Sequence, residues 1–86
     1  MFNLNRPVTY HYSVEVTDVH YSKVGPKADA ARDKVKADRK RVWAWRVATG
    51  RRENRFKNRT TAEVELLHFG QAFPDVEFHV AEGSPL

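Results

Sequence analysis

Residues 7–17, PVTYHYSVEVT, alternate without interruption: Val8, Tyr10, Tyr12, Val14 and Val16 fall on one side, and Thr9, His11, Ser13, Glu15 and Thr17 on the other. A period of two in β-branched and aromatic residues marks a strand with one apolar face. Such a strand is not stable alone, because its edges need a partner and its apolar face needs a cover. Pro7 suits the strand start, where no ladder donor is required. This segment commits the chain to a sheet with a second layer packed on it.

The alternation then changes phase. Val19 and Tyr21 are apolar at odd positions, so a bulge or turn is expected near Thr17-Asp18. The strand is read as continuing past a bulge, since Thr-Asp is not a favoured two-residue hairpin loop. The alternative is a turn into a short second strand ending at Val24. Gly25-Pro26 then opens a helix over 25–41, with proline at the first helical position. Asp29 near its start and the Lys and Arg residues from Lys34 to Arg41 suit the helix dipole. Its apolar stripe, Ala28, Ala31 and Val35, is narrow, so the helix is expected to pack lightly.

VWAWRVATG (42–50) reads as a strand with Trp43, Trp45 and Val47 on one face, turning at Thr49-Gly50. RENRFKN (52–58) reads as a poor third strand with Phe56 as its large apolar residue. TTAEVELLHFGQAF (60–73) is a helix: Thr60 and Glu63 have capping-box spacing, and Ala62, Leu66, Phe69 and Phe73 share a face. DVEFHVA (75–81) alternates again, with Val76, Phe78 and Val80 inward, and EGSPL reads as a tail.

The order β-α-β-β-α-β predicts an α+β fold, a four-stranded antiparallel or mixed sheet with two helices on one face in a ferredoxin-like arrangement. The expected core is Val8, Tyr10, Tyr12, Val14, Val16, Trp43, Trp45, Val47, Phe56, Leu66, Phe69, Phe73, Val76, Phe78 and Val80. One feature opposes that topology: it centres strand three, here the least apolar of the four. Eighty-six residues suit one domain, with 6–82 expected to fold and 1–5 and 83–86 to be flexible ends. A chain of this size buries roughly 60–65% of its unfolded surface, a thin margin for an autonomous fold.

With no cysteine in the sequence, disulfides, zinc-thiolate sites and thiol catalysis are excluded. The stretch MFNLNRPVTYHY lacks a basic segment followed by an apolar run, and no stretch has the apolar length of a membrane span. A soluble, cytoplasmic protein without membrane contact is the expectation.

Charge is unevenly written. Residues 1–31 balance to zero, residues 32–59 carry twelve Lys and Arg against Asp33, Asp38 and Glu53, and residues 60–86 carry five acids and no Lys or Arg. The excess in the middle is more than local pairing neutralises, which points to an acidic partner. Nucleic acid leads, since Lys and Arg neutralise phosphates and release counterions. The candidate ridge is Lys34, Lys36, Arg39, Lys40 and Arg41 along the first helix, with Arg46, Arg51, Arg52, Arg55, Lys57 and Arg59 around the hairpin. If both indoles are core, as a domain this small requires, the ridge acts by charge without base stacking. The RNA-binding module that shares the ferredoxin-like topology has a glycine- and aromatic-rich signature on strand three. RENRFKNR has one aromatic and no glycine, and lacks it.

His11 and His79 would meet on the open sheet face with Glu15 and Glu77, a set able to bind a metal or exchange protons. None of their spacings is a metal signature, and a polar solvated sheet face is the favoured account of them. Neither a nucleophile elbow nor a phosphate-binding glycine loop is present, so no cofactor, metal or catalytic role is expected. Val64 and Leu67 lie away from the apolar face of the second helix. They rest either on the first helix or on another chain. The leading expectation is a small non-enzymatic nucleic-acid binder. The alternative is an interaction or inhibitor module, of the accessory type that phages encode, docking on an acidic protein surface or self-associating.

Overall fold

The computed structural model describes residues 10–18 and 25–85. Two strands and two helices follow in the order β1 (Tyr10–Val16), α1 (Pro26–Ala48), α2 (Arg59–Ala72) and β2 (Phe78–Pro85). The class is α+β, as the sequence predicts, but the described residues form a two-stranded antiparallel sheet, not a four-stranded ferredoxin-like one. Val8 and the phase change at Val19 and Tyr21 lie outside the described residues.

The correction begins at residue 42. The helix expected to stop at Arg41 runs on to Ala48, so VWAWRV is helical. Ala28, Ala31, Val35, Asp38, Val42 and Trp45 follow one another at steps of three and four, the spacing of one helix face. Nothing between Lys27 and Thr49 interrupts the helix, since neither glycine nor proline occurs there. It ends at Gly50, whose φ of 76° lies in the left-handed region. There the Gly50 amide donates to the Val47 carbonyl and the Arg51 amide to the Arg46 carbonyl at 2.7 Å, a Schellman termination. Thr49-Gly50 turns the chain as expected, but out of a helix.

The expected third strand reduces to one bridge. Phe56 N–H donates to the Tyr12 carbonyl at 2.8 Å, and Tyr12 N–H to the Phe56 carbonyl at 2.7 Å. Two residues earlier a side chain replaces the backbone. Asn54 Oδ1 accepts from the Val14 amide at 2.9 Å, and its Nδ2 donates to the Val14 carbonyl at 2.8 Å. A side-chain amide thus stands in for a strand partner along the outer edge of β1.

On its other edge β1 pairs with β2 in the register Ser13–Ala81, Val14–Val80, Glu15–His79 and Val16–Phe78, with a shift between Tyr10 and Tyr12. β2 continues through Glu82 to Pro85, into the segment read as a tail. At the shift the His11 ring lies over Gly83, where an added Cβ would collide with it. Glycine is needed there for close approach.

The core gathers Val14 and Val16 of β1, Val35 and Val42 of α1, Phe69 and Phe73 of α2, and Val76, with Trp45, Leu66 and Phe78 packed against it. Phe69 is its fully buried aromatic. Trp45 meets Phe69 and Phe73 edge-on at 5.1 and 5.6 Å, and Phe78 meets Phe69 in the same way at 5.5 Å. Tyr12, Val47, Phe56 and Val80 are only half-buried, and Trp43 is exposed, contrary to the expected core. α2 packs across both strands, whereas α1 touches β1 more sparingly. The capping box is not formed. Asn58 stands at the N-cap of α2 without a side-chain hydrogen bond to the helix.

Candidate nucleic-acid interface

Continuing the helix past Arg41 separates the two indoles. Trp43 and Trp45 would share a strand face, but on a helix they sit about 160° apart. Trp45 turns inward to Phe69 and Phe73; Trp43 turns out and is 53% exposed. The Arg46 guanidinium lies 5.0 Å from the centre of the Trp43 ring, a cation–π stack that occupies one face of the indole.

At 100° per residue, Arg32, Lys36, Arg39, Trp43 and Arg46 fall within an arc of about 80° on one flank of α1, and Lys40 borders it. Arg32 pairs with Asp29 at 3.2 Å, and Arg39 reaches Asp18 at 3.6 Å. Lys36 and Lys40 are exposed and form no ion pair among the described residues. The stripe from Arg32 to Arg46 is about 21 Å long.

The expected continuous ridge is divided. Lys34 and Arg41 belong to the opposite flank, where both bind the buried Asp38 carboxylate, at 2.6 and 3.1 Å. Arg41 also donates to Asp75 at 3.0 Å. That hydrogen bond raises the Arg41 pKa and holds the Asp75 carboxyl below the usual range. Arg46 donates through Nε and Nη2 to the Arg51 and Arg52 carbonyls, clamping the chain where it leaves α1. Burial pushes the Arg46 pKa down, opposed by the charge of Glu53. Arg51 turns inward, 5.3 Å from the Trp45 ring centre, with Nε 3.5 Å from a Glu65 oxygen. Arg59 pairs with Glu63. Arg52, Arg55 and Lys57 are exposed on the connecting loop and unpaired among the described residues.

Beside Trp43 the surface forms an open groove of about 370 Å³, lined by Val14, Glu15, Val16, Arg39, Val42, Trp43, Arg46 and Asn54. Its floor is apolar, Trp43 forms a wall, and its charged edge carries Arg39 and Arg46 beside the Glu15 carboxylate. Asn54, which no sequence signal singled out, fixes the end of the groove through its bonds to Val14. The outward position of Trp43 had a trace in the sequence, since it stands off the stripe that carries Val35, Val42 and Trp45.

Of the histidine–carboxylate set, Glu15, Glu77 and His79 line one open groove of about 570 Å³, and His11 stands apart. Glu15 and His79 face one another across the sheet, and Thr17 Oγ1 lies 2.9 Å from His79 Nδ1. His11 sits over Gly83, about 13 Å along β1 from Glu15. Among the described residues no group of three His, Asp or Glu is placed to hold a metal ion. Val64 and Leu67 are 50% and 65% exposed, so α1 does not cover them. No helix among the described residues is long and apolar enough to cross a membrane.

In comparisons with known proteins, no family model, no curated protein and no solved structure matches this chain.

Proposed function

We propose that this chain is a non-enzymatic binding protein that holds nucleic acid on one flank of α1 and the loop after it. The observation that carries this reading is the exposed Trp43, stacked by Arg46 and set among Lys36, Arg39 and Lys40. Cations that engage no carboxylate are available to phosphates, and an exposed indole among them offers a stacking surface. The contacting set is Lys36, Lys40 and Arg52, joined by Arg39 where a phosphate displaces Asp18 from it. Arg46 acts on the indole and the loop.

Four phosphate contacts imply a log–log salt slope of about −3 on a single strand and about −3.6 on a duplex, or an affinity loss of about 50- to 150-fold between about 50 and 200 mM salt. The test is an anisotropy titration of labelled oligonucleotides at both salts, with Lys36→Glu/Lys40→Glu beside the wild type. The double variant is expected to keep its helical circular dichroism, bind at least about tenfold more weakly and reduce the slope by about 1.4. Unchanged affinity in a folded double variant overturns the assignment.

The exposed Val64 and Leu67 favour a second reading, a protein contact in which an acidic surface meets the same cations. Absence of oligonucleotide binding at the lower salt selects it.

A further inference from the structure

We propose that the groove between α1 and the outer edge of β1 receives an unpaired nucleobase, which makes the site selective for single-stranded nucleic acid. This inference rests on the nucleic-acid reading and names the form of ligand that reading leaves open.

Three observations converge on the groove. Its wall is Trp43, which is 53% exposed and carries the Arg46 guanidinium against its ring. Its floor of Val14, Val16 and Val42 is apolar, so a base leaving water loses little by entering it. Its inner edge is the outer edge of β1, open at Val16. Along that edge Tyr12 is matched by the Phe56 backbone and Val14 by the Asn54 amide. Val16 comes next in the same direction, and no described residue hydrogen-bonds its outward N–H or C=O.

An N–H and a C=O side by side form a donor–acceptor pair of the kind a base edge complements. The backbone supplies it without a side chain having to be ordered. Arg39 lines the groove, and Lys36 and Lys40 stand within one turn of it along α1, where the phosphates flanking an inserted base would pass. A base inside a duplex is stacked and paired, and reaches such a groove only by being flipped out at a cost. Geometry therefore favours a strand whose bases are already free.

The experiment uses fluorescein-labelled oligo-dA and oligo-dT single strands and their annealed duplex at about 50 mM salt. Proteins are the wild type, Trp43→Ala, Trp43→Phe and Lys36→Glu/Lys40→Glu, each checked by circular dichroism. The wild type is expected to prefer single strands by about tenfold and to show partial indole quenching on binding. Trp43→Ala should lose about that factor on single strands, so that the preference over duplex disappears. Trp43→Phe should retain most of the preference. If Trp43→Ala binds single strands as the wild type does, or the wild type binds duplex equally well, the base pocket is overturned. Salt-dependent binding lost in Lys36→Glu/Lys40→Glu would then leave the basic flank standing. Failure of the wild type to bind any of the three probes removes both.

Discussion

At the scale of single residues, Asp38 organises one side of α1. Its carboxylate is buried and accepts from Lys34 one turn before it and from Arg41 nearly one turn after. Both cations keep their shafts along the helix and their heads partly in water. The near-isosteric Asp38→Asn removes the charge and leaves the volume. It is expected to destabilise the protein by about 1–2 kcal/mol, the range for charge-assisted hydrogen bonds, in a urea titration. A change within error would mean that the amide satisfies both donors as well as the carboxylate does. The same residue explains a misreading. Between Val35 and Val42 the helical stripe passes through Asp38, and a carboxylate at a buried position conceals the period of 3.6 from any reading of hydrophobicity.

At the scale of elements, α1 shows how far sequence pattern reaches. VWAWRV alternates like a strand over six residues, and alternation that short is equally compatible with a helix whose inner positions are Val42 and Trp45. Length decides the matter. A continuous helix from Pro26 gains backbone hydrogen bonds at every residue, whereas an isolated strand there would need a neighbour that the charged RENRFKN cannot provide. β1, α2 and the inward residues of β2 were legible because each carries its period over enough residues and without a buried charge. The candidate site was legible in its cations but not in their sorting. Which lysines and arginines stay free depends on contacts such as Arg51 to Glu65 and Arg41 to Asp75, distant in sequence. The end of α1 gives a prediction at this scale. Gly50→Ala forces a Cβ into a backbone conformation with φ of 76°, and nothing else crowds the position. The expected cost is about 1 kcal/mol in chemical denaturation, from backbone strain alone. A much larger loss would show that the Schellman turn also sets the path of the loop carrying Asn54 and Phe56.

At the scale of the whole molecule, the charge dipole written along the chain folds back on itself. Three of the acids in the last third, Glu63, Glu65 and Asp75, pair with Arg59, Arg51 and Arg41 of the basic middle. Of these, Arg41–Asp75 ties α1, and Arg51–Glu65 the loop after it, to the second half, which matters because α1 touches the sheet sparingly. The molecule is thin and extended, 53 × 34 × 18 Å with a radius of gyration of 16.0 Å, against about 12 Å for a compact chain of this length. Acid should loosen the Arg41–Asp75 clip. The folded Asp75 carboxyl titrates below its usual value, mainly through the Arg41 hydrogen bond, so its contribution is complete above about pH 4 and is lost as pH falls through the lowered value. Thermal melts of the wild type and Asp75→Asn should differ at neutral pH and converge toward about pH 2. A difference that persists in acid would assign the effect to something other than ionisation.

The Asn54 amide on Val14 has one more consequence, for how copies of this protein behave toward each other. A strand edge with free N–H and C=O groups is a template on which an identical edge can grow, and repeated pairing of that kind is how soluble chains pass into fibrils. Here one primary amide and one aromatic residue's backbone obstruct that growth along YHYSV. Spontaneous hydrolysis of the amide to a carboxylate would abolish the donor to the Val14 carbonyl and set a negative charge against it. The barrier to growth along that edge thus rests, beside the Phe56 backbone, on the chemical integrity of one side chain.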